Sequence, residues 1–129
     1  MRKSVLKLVL TGFLALASLA GSVAFARETA PDATVSTVAL SQLPVQGRET
    51  YQRIREGGPF AFDKDGTIFG NRERLLPLQK RGYYREYTVK TPGSQNRGTR
   101  RIVCGGAATT PDACFYTADH YASFRKIVP

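Results

Sequence analysis

"GYYREYTVKTPGSQNRGTRRIVC", residues 82–104, is the part of the chain from which an architecture can be read. Alternating side chains give two strand candidates, Tyr83–Lys90 and Gly98–Cys104. Thr91-Pro92-Gly93 between them has the proline-then-glycine order of a type II turn. A strand sends successive side chains to opposite faces. Arg97, Thr99, Arg101 and Val103 therefore share one face, and Arg100, Ile102 and Cys104 the other. In the first strand Glu86 shares its face with Tyr84 and Thr88.

Working outward, "LPVQGRETYQRIREGG" (43–58) reads as a helix. Pro44 suits its first turn and Gly57 a left-handed stop, with Tyr51 and Ile54 on one face beside Gln46 or Gly47. "FAFDKDGTIFGN" (60–71) then switches to alternation, with an Asp65-Gly66 turn and a short strand over Thr67–Phe69. Downstream, "ACFYTADH" (113–120) reads as a strand that His120 closes, and "YASFRKIV" (121–128) as a last one. A helix followed by a run of strands predicts an α+β domain, one main N-terminal helix packed on a twisted antiparallel sheet.

At the N-terminus, Arg2, Lys3 and Lys7 precede an uncharged apolar run that ends on Ala24-Phe25-Ala26. That order predicts a secretory signal peptide over 1–26, because the apolar stretch is short and broken by Thr11, Gly12, Ser18 and Gly21. Residues 27–39 lack periodicity and read as a flexible arm, leaving 40–129 as the one folded domain. The leader carries three of the nineteen basic residues and none of the ten acidic ones, so the remainder stands at +6. A small basic exported protein, secreted or periplasmic, is predisposed to meet polyanions such as RNA. Cys104 and Cys114 are the only cysteines. In an exported chain they favour a disulfide over a metal site, which would need more ligands, with two buried free thiols as the alternative.

If the strands are neighbours, Glu86, Arg97, Arg101 and His120 converge on one face. Carboxylate and imidazole supply a general base and a general acid, and two guanidiniums suit a phosphoryl group. Spacing alone leaves two readings open, this constellation or a solvated salt-bridge ladder. His120, the only histidine, is on the same terms a packed residue or a proton carrier. "DKDG" opens like a calcium loop, but Arg74 stands where that loop needs its bidentate glutamate. No metalloprotease, phosphate-loop or nucleophile-elbow motif occurs, and no cofactor or metal is expected.

Three segments, "DGTIFGNRERLLP", "GYYREYTVKTPGSQNRGTRRIV" and "YTADHYASF", in this order and spacing, resemble the microbial guanyl-specific ribonucleases related to barnase. The likeness runs from about Leu40 to Ile127. It implies the microbial ribonuclease fold, with the active site on the sheet face away from the helix. It implies Glu86 as general base, His120 as general acid, and Arg97 and Arg101 as phosphate ligands. In "FGNRE" it implies backbone N–H groups around Asn71 and Arg72 on guanine O6 and the Glu73 carboxylate on the base's donors, with Phe69 and Tyr121 packing nearby. From its residues alone that stretch is a charged surface turn. The chain departs from the family's pattern at Gly70, where close members often carry glutamine or another side chain, in a loop to Cys114 longer than in some members, and in lacking the tryptophan that many have.

The resemblance implies a secreted, metal-independent endoribonuclease that cleaves single-stranded RNA after guanosine through a 2′,3′-cyclic phosphate. It also suggests a monomer, free of membrane once mature, with a barstar-like protein inhibitor. The competing reading is a non-catalytic cationic protein that binds RNA or another polyanion.

Overall fold

The structure, a computed structural model, describes residues 35–129 and, singly, Gly12 and Gly21. The leader expected over 1–26 and the arm up to residue 34 otherwise lie outside the described residues. Five strands form one sheet: β1 (Ser36–Ala39), β2 (Tyr84–Thr88), β3 (Arg101–Gly106), β4 (Pro111–Thr117) and β5 (Arg125–Val128). Their order is β1-β5-β4-β3-β2. One helix, α1 (Val45–Glu56), precedes β2.

Helix α1 follows its end signals. Pro44 is its N-cap. Gly57 takes φ 82°, and the N–H groups of Gly57 and Gly58 donate to the Ile54 and Arg53 carbonyls. Arg53 and Arg55 in the last turn complement the negative end of the helix dipole. The helix buries Tyr51 and Ile54 in the core it shares with the sheet, and Gly47 against Leu43.

Alternation along the strands divides the core in two. Tyr87, Val89, Ile102, Cys104, Cys114, Tyr116 and Ile127 pack with Tyr51 and Ile54 on the helix side. Tyr84, Val103 and Phe115 pack with Leu76 and Phe124 on the other. Ile54 is 1% exposed and Ile102 0%; burying such a side chain contributes roughly 1.5–3 kcal/mol. The second face is only partly covered, and that is where a site can form.

Several expectations are corrected. Residues 36–39 are not part of a flexible arm but strand β1, paired parallel with β5. The sheet is therefore mixed rather than wholly antiparallel, although β2–β3, β3–β4 and β4–β5 are antiparallel. The second strand of the opening stretch begins at Arg101, not Gly98, leaving Arg97 and Thr99 in the preceding loop. Strand β4 ends at Thr117, so His120 lies beyond it in a turn. Thr67–Phe69 forms a single bridge, Ile68 to Arg85, rather than a strand. The segment still satisfies the free edge of β2: Gly66 N–H donates to Glu86 O at 2.7 Å, Glu86 N–H to Thr67 O at 2.9 Å, and Thr88 N–H to Asp65 Oδ1 at 2.7 Å.

The β3–β4 hairpin has two close approaches, at Gly105 and at Gly106, where a Cβ would lie 2.6 Å from Asp112 Oδ2. A Cβ on Gly105 would land inside the Tyr83 ring, whose hydroxyl donates to Asp112 Oδ2 across the hairpin at 2.8 Å. Cys104 and Cys114 stand opposite each other in β3 and β4 and are joined by a disulfide, with Cα atoms 4.1 Å apart. The bond spans a sequence separation of 10. Closing so short a loop stabilises by roughly 2–3 kcal/mol through the unfolded chain's lost entropy. Urea unfolding of the Cys104→Ala/Cys114→Ala protein is expected to show that loss against the wild type, and an unchanged midpoint would refute it.

Candidate active site

Glu86 sits in the middle of β2 and projects to the face away from α1, because its neighbours Tyr87 and Val89 belong to the helix-side core. Its side chain is 13% exposed. Oε1 accepts from Arg97 Nη2 at 2.8 Å and Oε2 accepts from the Tyr121 hydroxyl at 2.7 Å. Arg97 also donates from Nε to Thr88 Oγ1 at 3.0 Å, so one guanidinium spans two same-face residues of β2. Its loop is fixed by Asn96, whose Oδ1 accepts from Gly98 N–H and the Ser94 hydroxyl.

Arg101 opens β3 on the same face and is 3% exposed. Nη1 donates to the carbonyls of Arg97 at 3.2 Å and Arg100 at 2.8 Å. Its Nε is buried without a partner, and its guanidinium carbon lies 6.0 Å from the centre of the Tyr121 ring. The only ion pair among the described residues is Arg97–Glu86, so Arg101 is a buried cation facing no carboxylate of its own. A desolvated guanidinium in that state favours an incoming anion.

His120 and Tyr121 are consecutive non-glycine residues at positive φ, 53° and 70°. Such conformations cost of order 1 kcal/mol each or more and persist only where the surroundings impose them. Asp119 imposes them here. Its Oδ1 accepts from the Thr117 hydroxyl and Ser123 N–H, both at 2.9 Å, and its Oδ2 from the Ser123 hydroxyl at 2.6 Å. Thr117 Oγ1 in turn accepts from Tyr121 N–H, and the His120 N–H donates to Thr99 O at 2.9 Å. Asp119 is thus a brace of the turn rather than a partner of the imidazole. The His120 ring is exposed, 4.9 Å from the Tyr121 ring, and takes part in no hydrogen bond or ion pair among the described residues.

Burial first, and then the bond to Glu86, push the Tyr121 phenol up to about 12. It stays a proton donor to the carboxylate across the working range.

The 69–76 loop forms the other wall. Asn71 closes it with its side chain, donating from Nδ2 to Leu76 O at 3.0 Å and accepting at Oδ1 from Leu76 N–H at 3.1 Å. Leu76, 2% exposed, anchors the loop in the second core cluster. Phe69 packs 5.0 Å from Tyr121 and 5.9 Å from Phe124. Phe69, Asn71, Arg72, Glu73, Glu86, His120 and Tyr121 all line one cavity of about 730 Å³. Arg97 and Arg101 adjoin it through Glu86 and Tyr121, whereas Cys104 and Cys114 lie in the helix-side core. Among the described residues no three His, Cys, Asp or Glu side chains are grouped as metal ligands.

Sequence reasoning missed the structural support. Thr88, Thr117 and Ser123 position Arg97 and the 117–123 turn. Thr88 was reachable from the alternation that pairs it with Glu86. The Thr117–Asp119–Ser123 set has only the general turn-forming habit of such residues as a signal.

The family described as ribonuclease matches residues 26–128. Guanyl-specific ribonuclease Sa3 of Kitasatospora aureofaciens is 53% identical over 93 residues, 72% of this chain, and the match spans 64% of that protein's own length. Guanyl-specific ribonuclease Sa of the same organism is 53% identical over 91 residues, covering 70% of this chain and 92% of that one. Guanyl-specific ribonuclease St of Saccharopolyspora erythraea is 50% identical over 70% of this chain and 86% of its own. A structure of ribonuclease Sa2 in complexes with mononucleotides superposes with a TM-score of 0.69 at 43% identity, covering 74% of this chain and 95% of that one. Sa2 with guanosine-2′-cyclophosphate gives 0.67 at 42% identity, over 74% and 97%.

The brace has a pH signature. Bonds from Ser123, then Thr117, hold the Asp119 carboxyl below its ordinary value of 3.8. A carboxyl lowered by folding adds stability above its unfolded value and loses it as pH falls through the native one. The stability difference between wild type and Asp119→Ala is therefore expected to be flat above about pH 5 and to shrink in stronger acid. A difference independent of pH, measured by denaturant unfolding, would show that the ionised brace contributes nothing.

Proposed function

This chain belongs to the family of microbial guanyl-specific ribonucleases, and from that premise we propose that it cleaves single-stranded RNA after guanosine. Glu86 takes the proton of the ribose 2′-OH, and that oxygen attacks the adjacent phosphorus. His120 protonates the departing 5′ oxygen, and Arg97 and Arg101 offset the charge gathering on the phosphoryl oxygens. A 2′,3′-cyclic phosphate results, which water opens with the acid and base roles reversed. The nucleophile is part of the substrate and the guanidiniums do the work of a cation, so the step needs no metal.

The observation that carries this reading is the orphaned, buried Arg101 Nε, on the same sheet face as a carboxylate already braced on both oxygens. A carboxylate oxygen has two lone-pair sites, so Glu86 can accept the 2′-OH proton while Arg97 and Tyr121 remain bonded. The unengaged His120 ring shares that cavity and supports a role as proton donor. Tyr121 acquires a part beyond packing near the base, as the donor that aims Glu86.

For the base, the Asn71 side chain is engaged in closing the loop, which leaves the backbone of Asn71 and Arg72 to meet guanine O6. Glu73 is exposed, makes no ion pair among the described residues and lines the cavity, as an acceptor for the guanine N1–H and amino group should. Residues 1–26 support export, and we place the mature chain outside the cytoplasm as a monomer whose protein partner is a barstar-like inhibitor.

Cleavage of RNA in excess chelator is expected to yield cyclic phosphate ends and to leave DNA, which lacks the 2′-OH, intact. The rate follows a bell in pH, because Glu86 must be ionised while His120 is protonated. Replacing His120 by Gln is expected to cost ~10²–10⁴-fold and to remove the alkaline limb. A folded variant with near-normal transesterification would take the acid role from His120. Glu73→Ala leaves two guanine donors unmatched, so cleavage after guanosine should fall far more than residual cleavage after other bases; retained selectivity would move the base site elsewhere.

A further inference from the structure

A second cavity, of about 490 Å³, lies against the same loop as the first. Residues 68–72 line both, and the far wall of the second carries Gln79, Lys80 and Arg81. The two differ in charge. Glu73 and Glu86 line only the catalytic cavity, while the second is lined by Arg72, Lys80 and Arg81 and by no carboxylate. All three cations are exposed, and none forms an ion pair among the described residues. Surface charges are ordinarily interspersed, so a groove of one sign concentrates counter-ions along it. Gly70 contributes to this arrangement. A Cβ there would meet Arg72 Cγ at 3.6 Å and Nε at 3.9 Å, so Arg72 lies back along the wall between the cavities, over the place of the missing side chain.

We propose that this groove binds the phosphodiester backbone of the RNA chain on the 5′ side of the cleaved guanosine. The inference rests on the ribonuclease reading above and extends it beyond the cleaved nucleotide. Its direction follows from the layout. The 3′ phosphate belongs at Glu86, Arg97, Arg101 and His120, none of which lines the second cavity. The strand leaving that phosphate runs past His120. The strand that reaches Lys80 and Arg81 across the 68–72 loop is therefore the 5′ one. Recognition there is by charge and carries no base information.

The test compares three substrates: guanylyl-(3′→5′)-uridine, the same dinucleotide with three uridines added on its 5′ side, and with three added on its 3′ side. Wild type is set against Lys80→Ala/Arg81→Ala. Both side chains are exposed, and the Lys80 group that receives the Tyr83 N–H is its main-chain carbonyl, so the variant should fold. The variant is expected to lose on the order of three- to tenfold in kcat/KM on the 5′-extended substrate alone. Its log–log salt dependence on that substrate should be shallower by about one. Fluorescence anisotropy with a 5′-extended oligonucleotide carrying 2′-deoxyguanosine, which cannot be cut, should show the same loss in affinity. Wild-type behaviour of the variant on the 5′-extended substrate, an equal loss on all three, or a loss confined to the 3′-extended one would each overturn the proposal. A wild type that binds the uncut oligonucleotide through Lys80 and Arg81 yet fails to cleave the dinucleotide would instead overturn the catalytic reading.

Discussion

The Glu86 carboxylate, held at 2.8 Å by Arg97 and at 2.7 Å by the Tyr121 phenol, joins every part of the site. Through Arg97 it fixes the 94–100 loop to β2. Through Tyr121 it fixes the turn after β4, and the Tyr121 ring reaches on to Phe69 and the 69–76 loop. A partly buried ion pair of this kind contributes little net stability, because the desolvation of both charges offsets their attraction. What it supplies is preorganisation. On the proposed reading the acceptor and the cations are already in place when substrate arrives, and no reorientation is needed as charge develops.

That arrangement depends on a sheet with two unlike faces. Alternation sends Tyr87, Val89, Ile102 and Cys104 under α1 and leaves Tyr84, Glu86, Thr88, Arg101 and Val103 on the other side. Below the site, Tyr84, Val103, Phe115, Phe124 and Leu76 form a small apolar floor. The hydrogen bonds of Glu86 and the guanidinium of Arg101 stand on that floor, away from bulk water, where each polar contact is worth more than at an exposed surface. The disulfide sits on the helix side of β3 and β4. It stiffens the hairpin whose first residue is Arg101 and does not enter the chemistry.

What could be read from the sequence was whatever local periodicity controls. Strands β2 and β3, their shared faces, the helix with its Gly57 stop and the hairpin pairing Cys104 with Cys114 all follow from alternation and end signals. Strand β1 did not, because four residues with no pattern of their own become a strand only by pairing with β5, far along the chain. His120 was placed at the end of a strand because "ACFYTADH" alternates through it. The turn that displaces it arises from side chain–backbone bonds of Thr117, Asp119 and Ser123, which compete with the ladder and leave no periodic trace. Arg97 was assigned to the right face for a reason that did not apply. It lies in a loop, and Thr88 and Glu86, rather than a strand register, direct its side chain. The guanine role proposed for residues 69–73 rests on resemblance alone, since "FGNRE" by itself is a polar turn. The Asn71–Leu76 closure that makes it rigid cannot be read from spacing.

On the proposed reading, base recognition and chemistry meet in one side chain. Phe69 and Tyr121 pack together at 5.0 Å, and the same Tyr121 donates to the catalytic carboxylate. A base seated against these rings therefore presses on the side chain that aims Glu86. The Tyr121 backbone has little freedom to yield, because its positive φ is fixed by Thr117 and by the Asp119 brace. Correct seating of the base is in that case transmitted to the 2′-oxygen's acceptor through one rigid phenol rather than through a mobile loop. An interaction that strengthens as the 2′-oxygen gives up its proton acts at the transition state more than in the ground state, so on this reading discrimination between bases belongs to the rate of the chemical step as much as to binding.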